Sequence, residues 1–131
     1  MLPWVIAHRG ASSIAPENTA SSFKSAKALG AEWVEFDVML TADRIPIVFH
    51  DRSLARITRL QKKVNQVPSS LLKDLDAGGW FSSRFKDERI PTFKGALQIC
   101  PDLELGINIE LKPRAFTTAA LVDVALETLE A

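Results

Sequence analysis

The sequence predicts an α/β fold built on parallel strands, and three observations carry that prediction. The first forty residues read as strand, helix, strand with short links, which is a βαβ unit. Trp33–Leu40 alternates cleanly, with Val34, Phe36, Val38 and Leu40 on one face and Trp33, Glu35, Asp37 and Met39 on the other. A further alternating strand over residues 107–111, followed by an amphipathic helix over 117–130, closes the chain in the same idiom.

Taken in order, residues 4–7 are a short apolar run of buried-strand type, ending in His8-Arg9-Gly10. Gly10 lets the chain leave the strand sharply. Residues 11–17 read as a loop. Asn18 is placed to cap a helix that carries Phe23, Ala26 and Leu29 on one face and stops at Gly30. After Trp33–Leu40, apolar residues resume at Ile45. That reversal is too short for a parallel crossover, so the second strand returns antiparallel. A turn about Ala42, Asp43 and Arg44 sets Asp37 roughly opposite His50. Residues 52–91 lose the strand pattern and read as an excursion from the sheet, with Ser69 or Ser70 capping a short helix through Leu75. Thr92 caps a helix to about Ile99, which Pro101 and Asp102 close. In the strand after it, Ile107, Ile109 and Leu111 share one face, and Asn108, Glu110 and Lys112 the other. Leu121, Val124, Ala125 and Leu129 point inward from the final helix.

Composition narrows the classes. A chain of 131 residues, 47% of them hydrophobic, suits one domain with a real core. A formal net charge of zero gives no reason to expect nucleic acid or an anionic membrane as partner. Cys100 is the single cysteine, which excludes an intrachain disulfide and a cysteine-rich zinc site, and it reads as a small buried apolar residue. The start MLPWVIAHRG has no charged leader pattern, and no stretch reaches the roughly 20 apolar residues of a membrane span, so the cytoplasm is the expected location.

Three strand ends present polar groups: His8 and Arg9, then Glu35 and Asp37, then Glu110 and Lys112. The antiparallel return adds His50. Alone, each has a plain structural reading. A Glu-x-Asp pair on a strand is more often a solvated face, and a strand-end histidine more often a satisfied structural residue. Together they weigh more, because the apolar faces fix where the polar ones point. Three clustered carboxylates repel unless a cation lies between them. An all-oxygen set favours a hard divalent ion, Mg²⁺ or Ca²⁺, over zinc. Two histidines suit one proton acceptor and one donor near neutral pH. Arg9 and Lys112 can hold an anion, Arg with a fork that matches phosphate oxygens. A metal-assisted enolisation enzyme also uses three carboxylates; the two histidines beside Arg9 and Lys112 favour phosphoryl transfer.

His8-Arg9-Gly10, Pro16-Glu17-Asn18-Thr19, Glu35-Phe36-Asp37-Val38, His50-Asp51 and Ile109-Glu110-Leu111-Lys112, in that order and spacing, make the chain resemble the glycerophosphodiester phosphodiesterases. Leu75-Asp76-Ala77-Gly78 with Trp80-Phe81, and Ile90-Pro91-Thr92, resemble the small insertion of that family, here within 52–91. The resemblance implies a (β/α)₈ TIM-type barrel related to the phosphoinositide-specific phospholipases C. It implies one divalent cation, Mg²⁺ or Ca²⁺, held by Glu35, Asp37 and Glu110, with His8 and His50 as the acid–base pair and Arg9 and Lys112 on the phosphate. It implies that the substrate's glycerol hydroxyl attacks phosphorus and that water then opens the cyclic phosphate. Glu17-Asn18-Thr19 reads first as helix capping and loop fixing, with Glu17 behind the site as the alternative. Two departures stand out. Arg44 occupies a turn position where the family commonly has Gly. A (β/α)₈ barrel needs about 250 residues, so residues 1–131 cover about its N-terminal half. The expectation is therefore a truncated domain, or a half-barrel closed by a second copy or a complementary piece, or an inactive half. A lysophospholipase-D-like or phospholipase-C-like activity would share these residues.

Overall fold

The computed structural model describes residues 2–114 and 117–131. Its sheet is organised around β2 (Trp33–Leu40), which pairs in parallel with β1 (Ala7–His8) and β4 (Gly106–Leu111) and antiparallel with β3 (Pro46–Val48). Val38 is in register with both Leu111 and Val48, so β3 lies on the same side of β2 as β1, further along the strand.

The apolar face of β2 packs against helices. Phe36 sits between Phe23 of α1 (Ala20–Ala28) and Phe93 of α4 (Phe93–Asp102), with ring centroids 5.7 and 6.1 Å apart. Such tilted and edge-on aromatic pairs add about 1 kcal/mol each beyond the area they bury. Leu121 and Ala125 of α5 (Thr118–Glu130) join this core, and so does Cys100, which is fully buried. Burial pushes the Cys100 thiol up to about 11, so it is an inert packing residue.

Residues 49–91 contribute α2 (Ala55–Thr58), α3 (Ser69–Leu72) and two 3₁₀ turns, with no strand among the described residues beyond the isolated Ser53–Lys63 bridge. They build a second core, in which Leu54, Ile57, Val64 and Leu72 pack on Met39, Ile47 and Phe49. That core covers the far end of β2, on the face that also carries Glu35 and Asp37.

Several expected details move. Strand pairing begins at Ala7, not at Trp4, because β1 meets β2 only from Val34 onward; Trp4 and Val5 are exposed. Thr19, not Asn18, caps α1. Thr19 has the extended backbone a cap requires, and it exchanges hydrogen bonds with Ser22 as a capping box, whereas Asn18 has φ 57°. Gly30, φ 88°, sits one residue beyond the C-cap Leu29. Ser69 is the first residue of α3 rather than its cap, the helix stops at Leu72, and the Ser69 backbone N–H and hydroxyl both donate to Asp43. Thr92 does cap α4, accepting from the Gly95 N–H, but that helix runs on through Pro101 to Asp102. Leu129, expected inward, is exposed.

Candidate active site

Strand register assembles the site. His8 of β1 is the partner of Glu35, and Asp37 is the partner of Glu110. Neighbours in register on parallel strands share a face, so His8, Glu35, Asp37 and Glu110 all project from the side opposite Phe36. One carboxylate oxygen from each of Glu35, Asp37 and Glu110 lies within 4.8 Å of the others.

Backbone geometry fixes the surroundings. Arg9 and Gly10 are both left-handed, φ 57° and 79°. The first swings the Arg9 N–H onto Glu35 Oε2 at 3.1 Å. The second must be glycine for space as well as for φ, since a Cβ there would lie 2.4 Å from Ser22 Oγ and 2.7 Å from the Ser22 carbonyl carbon. Asn18, also left-handed and buried, donates its side-chain amide to Asp37 Oδ2 at 2.9 Å. Two non-glycine residues in that region, side by side at one site, mark positions that the surrounding structure over-determines.

The three carboxylates differ in electrostatics. Burial, followed by the nearby Asp37 charge, raises the Glu35 carboxyl above its usual range. Glu110 is exposed and moves the other way, lowered by its hydrogen bond from Lys112, 2.6 Å. Lys112 is raised in turn by that bond, and its Nζ lies 3.5 Å from Asp37 Oδ1. Glu35 Oε1 and Asp37 Oδ1 are buried and find no hydrogen bond among the described residues. An unpaired buried carboxylate oxygen is costly. Glu35 Oε1, and Asp37 Oδ1 with only the Lys112 ammonium near it at 3.5 Å, fit together with a third acidic oxygen a hard divalent cation such as Mg²⁺ or Ca²⁺.

His8 is largely exposed at the rim, with Nε2 3.8 Å from Glu35 Oε2. His50 follows β3 and is partly exposed, near enough for its charge to act on Glu110. The register places Phe49, not His50, opposite Asp37, and the Phe49 N–H bonds the Asp37 carbonyl at 3.0 Å. His50 thus reaches the site from one residue beyond the strand pairing, and a guanidinium nitrogen of Arg114 holds its carbonyl at 3.1 Å. The two cations expected on phosphate are paired with acids here. Arg9 Nη1 is 2.6 Å from Glu17 Oε2, its Nε is 3.3 Å from Asp37 Oδ2, and Lys112 is tied to Glu110.

Asn18, Asp51 and Arg56 have no such part in the sequence analysis, and Glu17 has one only as an alternative. Asn18 was read as a cap. Glu17, Asp51 and Arg56 form a linked acid–base lattice, with Arg56 bonding Glu17 at 2.5 Å and Asp51 at 2.8 and 3.0 Å. Burial would raise Glu17, but its bonds to Arg56 and Arg9 outweigh this and lower it. The adjacency of Asp51 to His50 was the one available signal. Nothing in the spacing of Arg56 pointed there.

Residues 8–129 match the model of the glycerophosphoryl diester phosphodiesterase family. A glycerophosphodiester phosphodiesterase of Caldanaerobacter subterraneus subsp. tengcongensis is 43% identical over 108 residues, 82% of this chain and 44% of that protein. Glycerophosphodiester phosphodiesterase 1 of Mus musculus is 35% identical over 125 residues, 93% of this chain and 38% of its own length. Among solved structures, an Oleispira antarctica phosphodiesterase in complex with the product sn-glycerol-3-phosphate superposes with a TM-score of 0.96 at 42% identity, covering 98% of this chain and 52% of that one. The glycerophosphodiester phosphodiesterase of Agrobacterium tumefaciens superposes at 0.81 and 35% identity, with 98% and 55% covered. The chain therefore spans about half the length of the relatives it matches, and its partial barrel coincides with theirs.

Proposed function

Because the chain belongs to the glycerophosphoryl diester phosphodiesterase family, we propose that its site hydrolyses a glycerophosphodiester to glycerol phosphate and an alcohol with the help of one divalent cation. The observation that carries this reading is the convergence of Glu35, Asp37 and Glu110 within 4.8 Å, with a buried Glu35 oxygen that finds no hydrogen bond among the described residues. These three hold the ion. When bound, Mg²⁺ or Ca²⁺ supplies Lewis-acid polarisation of a phosphoryl oxygen.

The remaining work falls to the chain's own side chains. Arg9 and Lys112 stand beside the carboxylates and take the phosphate oxygens, a guanidinium fork on one side and a point charge on the other. His8 and His50 flank the carboxylates, from β1 and from the end of β3. One takes the proton of the glycerol hydroxyl as its oxygen bonds phosphorus. The other gives a proton to the departing alcohol oxygen as its bond to phosphorus breaks. Water then attacks the cyclic phosphate with the proton roles reversed. The excursion over 52–91 is the family's small insertion, and it holds His50 in place from behind.

Release of glycerol phosphate from glycerophosphocholine, measured with Mg²⁺ or Ca²⁺ and with chelator, tests this. Chelator-sensitive release is expected; release that ignores chelator overturns the metal assignment. A second reading, a half-barrel that needs a complementary half for turnover, is favoured by the exposed inner face of β4, where Asn108 and Glu110 are open to solvent, and by the half-length match to relatives. It predicts cation binding without turnover, and turnover on adding a second chain that supplies the rest of the barrel.

A further inference from the structure

His50 has two ring nitrogens, and the structure distinguishes them. Nδ1 is 2.8 Å from Asp51 Oδ1. The Asp51 carboxylate is itself clamped by the Arg56 fork, Nε on Oδ2 at 2.8 Å and Nη2 on Oδ1 at 3.0 Å, a planar two-point contact that fixes the carboxylate plane. Arg56 is held in turn from two further directions. Its Nη1 donates to Glu17 at 2.5 Å, and its guanidinium carbon lies 5.3 Å from the centre of the Trp80 ring. The bond from Arg56 keeps the Asp51 carboxyl down at about 2, against the effect of its burial. Asp51 is therefore ionised across the neutral range and can only accept. The proton in the His50–Asp51 contact consequently belongs to Nδ1.

We propose that Asp51 and Arg56 are positioning residues that lock neutral His50 in its Nδ1–H tautomer, leaving Nε2 as the nitrogen that exchanges a proton with the substrate. The tautomer stands on the His50–Asp51–Arg56 geometry and an ionised Asp51; its use in turnover rests on the function proposed above. The same guanidinium reaches Arg9 through Glu17, whose Oε2 accepts from Arg9 Nη1 at 2.6 Å. One side chain of the excursion thereby sets the direction of a proton-transfer group and of a phosphate-binding group. The tautomer of a metal-free or substrate-free histidine is set by the bond its other nitrogen makes, so this arrangement holds before any ligand arrives.

The chain has only two histidines, so long-range proton–nitrogen correlation spectra resolve both rings at a pH where they are neutral. Wild-type His50 is expected to show the Nδ1–H pattern. Asp51→Ala should move it to the Nε2–H form that free imidazole favours. Arg56→Gln should give a mixture and Arg56→Lys a pattern nearer wild type, because a cation then still steadies Asp51. Dispersed methyl signals report that each variant is folded; should Asp51→Ala unfold, the two Arg56 variants carry the comparison. An Nε2–H ring in the wild type overturns the proposal, as does an Nδ1–H ring that survives in Asp51→Ala. A pattern unmoved by Arg56→Gln removes Arg56 from it. A purely structural ion pair would change stability and leave the tautomer alone. Turnover of glycerophosphocholine is read separately: its absence beside an intact Nδ1–H ring counts against the function and not against the tautomer, while an active wild type should lose kcat in Arg56→Gln, with KM raised as well because Arg9 is loosened through Glu17.

Discussion

Asn18 combines a left-handed backbone, φ 57°, with a buried hydrogen bond to the fully buried Asp37. The two contributions can be separated. Asn18→Gly keeps the backbone region at no steric cost and loses only the amide, which for a bond to a charged group is worth about 2 kcal/mol. Asn18→Ala loses the amide and adds the left-handed penalty of about 1 kcal/mol. Urea unfolding should therefore rank wild type above Asn18→Gly above Asn18→Ala; equal stability of all three would show that Asp37 does not depend on this bond. For the histidines the expected readout is activity. His8→Ala and His50→Ala should each lower glycerophosphocholine turnover by about 100-fold or more, as for a lost acid or base, with cation affinity by calorimetry unchanged. A parallel loss of affinity would make the histidines ligands instead. Legibility at this scale followed residue chemistry. Glu35, Asp37 and Glu110 were readable because strand alternation fixes which way a side chain points. Asn18 was misread because a polar residue before a helix fits capping and site equally well, and only the backbone angle distinguishes them.

Asp43 ties two elements together. It closes the β2–β3 turn by accepting from Thr41 Oγ1 at 2.6 Å, and it anchors the start of α3 by accepting from the Ser69 N–H at 2.9 Å and hydroxyl at 2.8 Å. These bonds, that from Thr41 foremost, hold its carboxyl at about 2 against an ordinary 3.8. Asp51 is likewise held at about 2, chiefly by Arg56. For both, the folded chain binds the proton more weakly than the unfolded one. Their contribution to stability is therefore fully present above about pH 4 and disappears as the pH falls through about 2. Chemical denaturation followed from pH 5 to pH 2 should show stability falling, with Asp43→Asn and Asp51→Asn each flattening part of that slope; an unchanged slope in both variants would rule these carboxylates out as its source. Elements were legible where period and length agreed: Trp33–Leu40, the helix after Thr92 and the final helix were all expected close to where they lie. The register of β3 was off by one because no sequence pattern counts residues across a turn. A single step there exchanges Phe49 for His50 opposite Asp37.

At the scale of the whole molecule, the family motifs named the barrel, and the partial sheet matches relatives that are about twice as long. The second core under residues 49–91 was not legible, since Leu54, Ile57, Val64 and Leu72 are scattered through short helices and turns that share no period. That core braces one end of the sheet while the acidic cluster strains its middle: Glu35 and Asp37 are buried and close together, and Glu35 Oε1 finds no hydrogen bond among the described residues. A cation that binds only the folded chain should relieve this repulsion and stabilise the molecule by mass action. At a free concentration about 100 times the Kd the gain is about 2.7 kcal/mol, which for a domain of this size moves Tm by about 10 °C. Thermal melts with Mg²⁺, with Ca²⁺ and with chelator measure it directly, without requiring turnover. Glu35→Gln provides the contrast. Its amide oxygen can still accept the Arg9 N–H that now bonds Glu35 Oε2, but the buried like charge is gone. The variant should therefore be at least as stable as wild type in chelator, and it should lose most of the cation-induced rise. A wild-type melt indifferent to both cations, or an equal rise in Glu35→Gln, would mean that the three carboxylates converge for some purpose other than holding an ion.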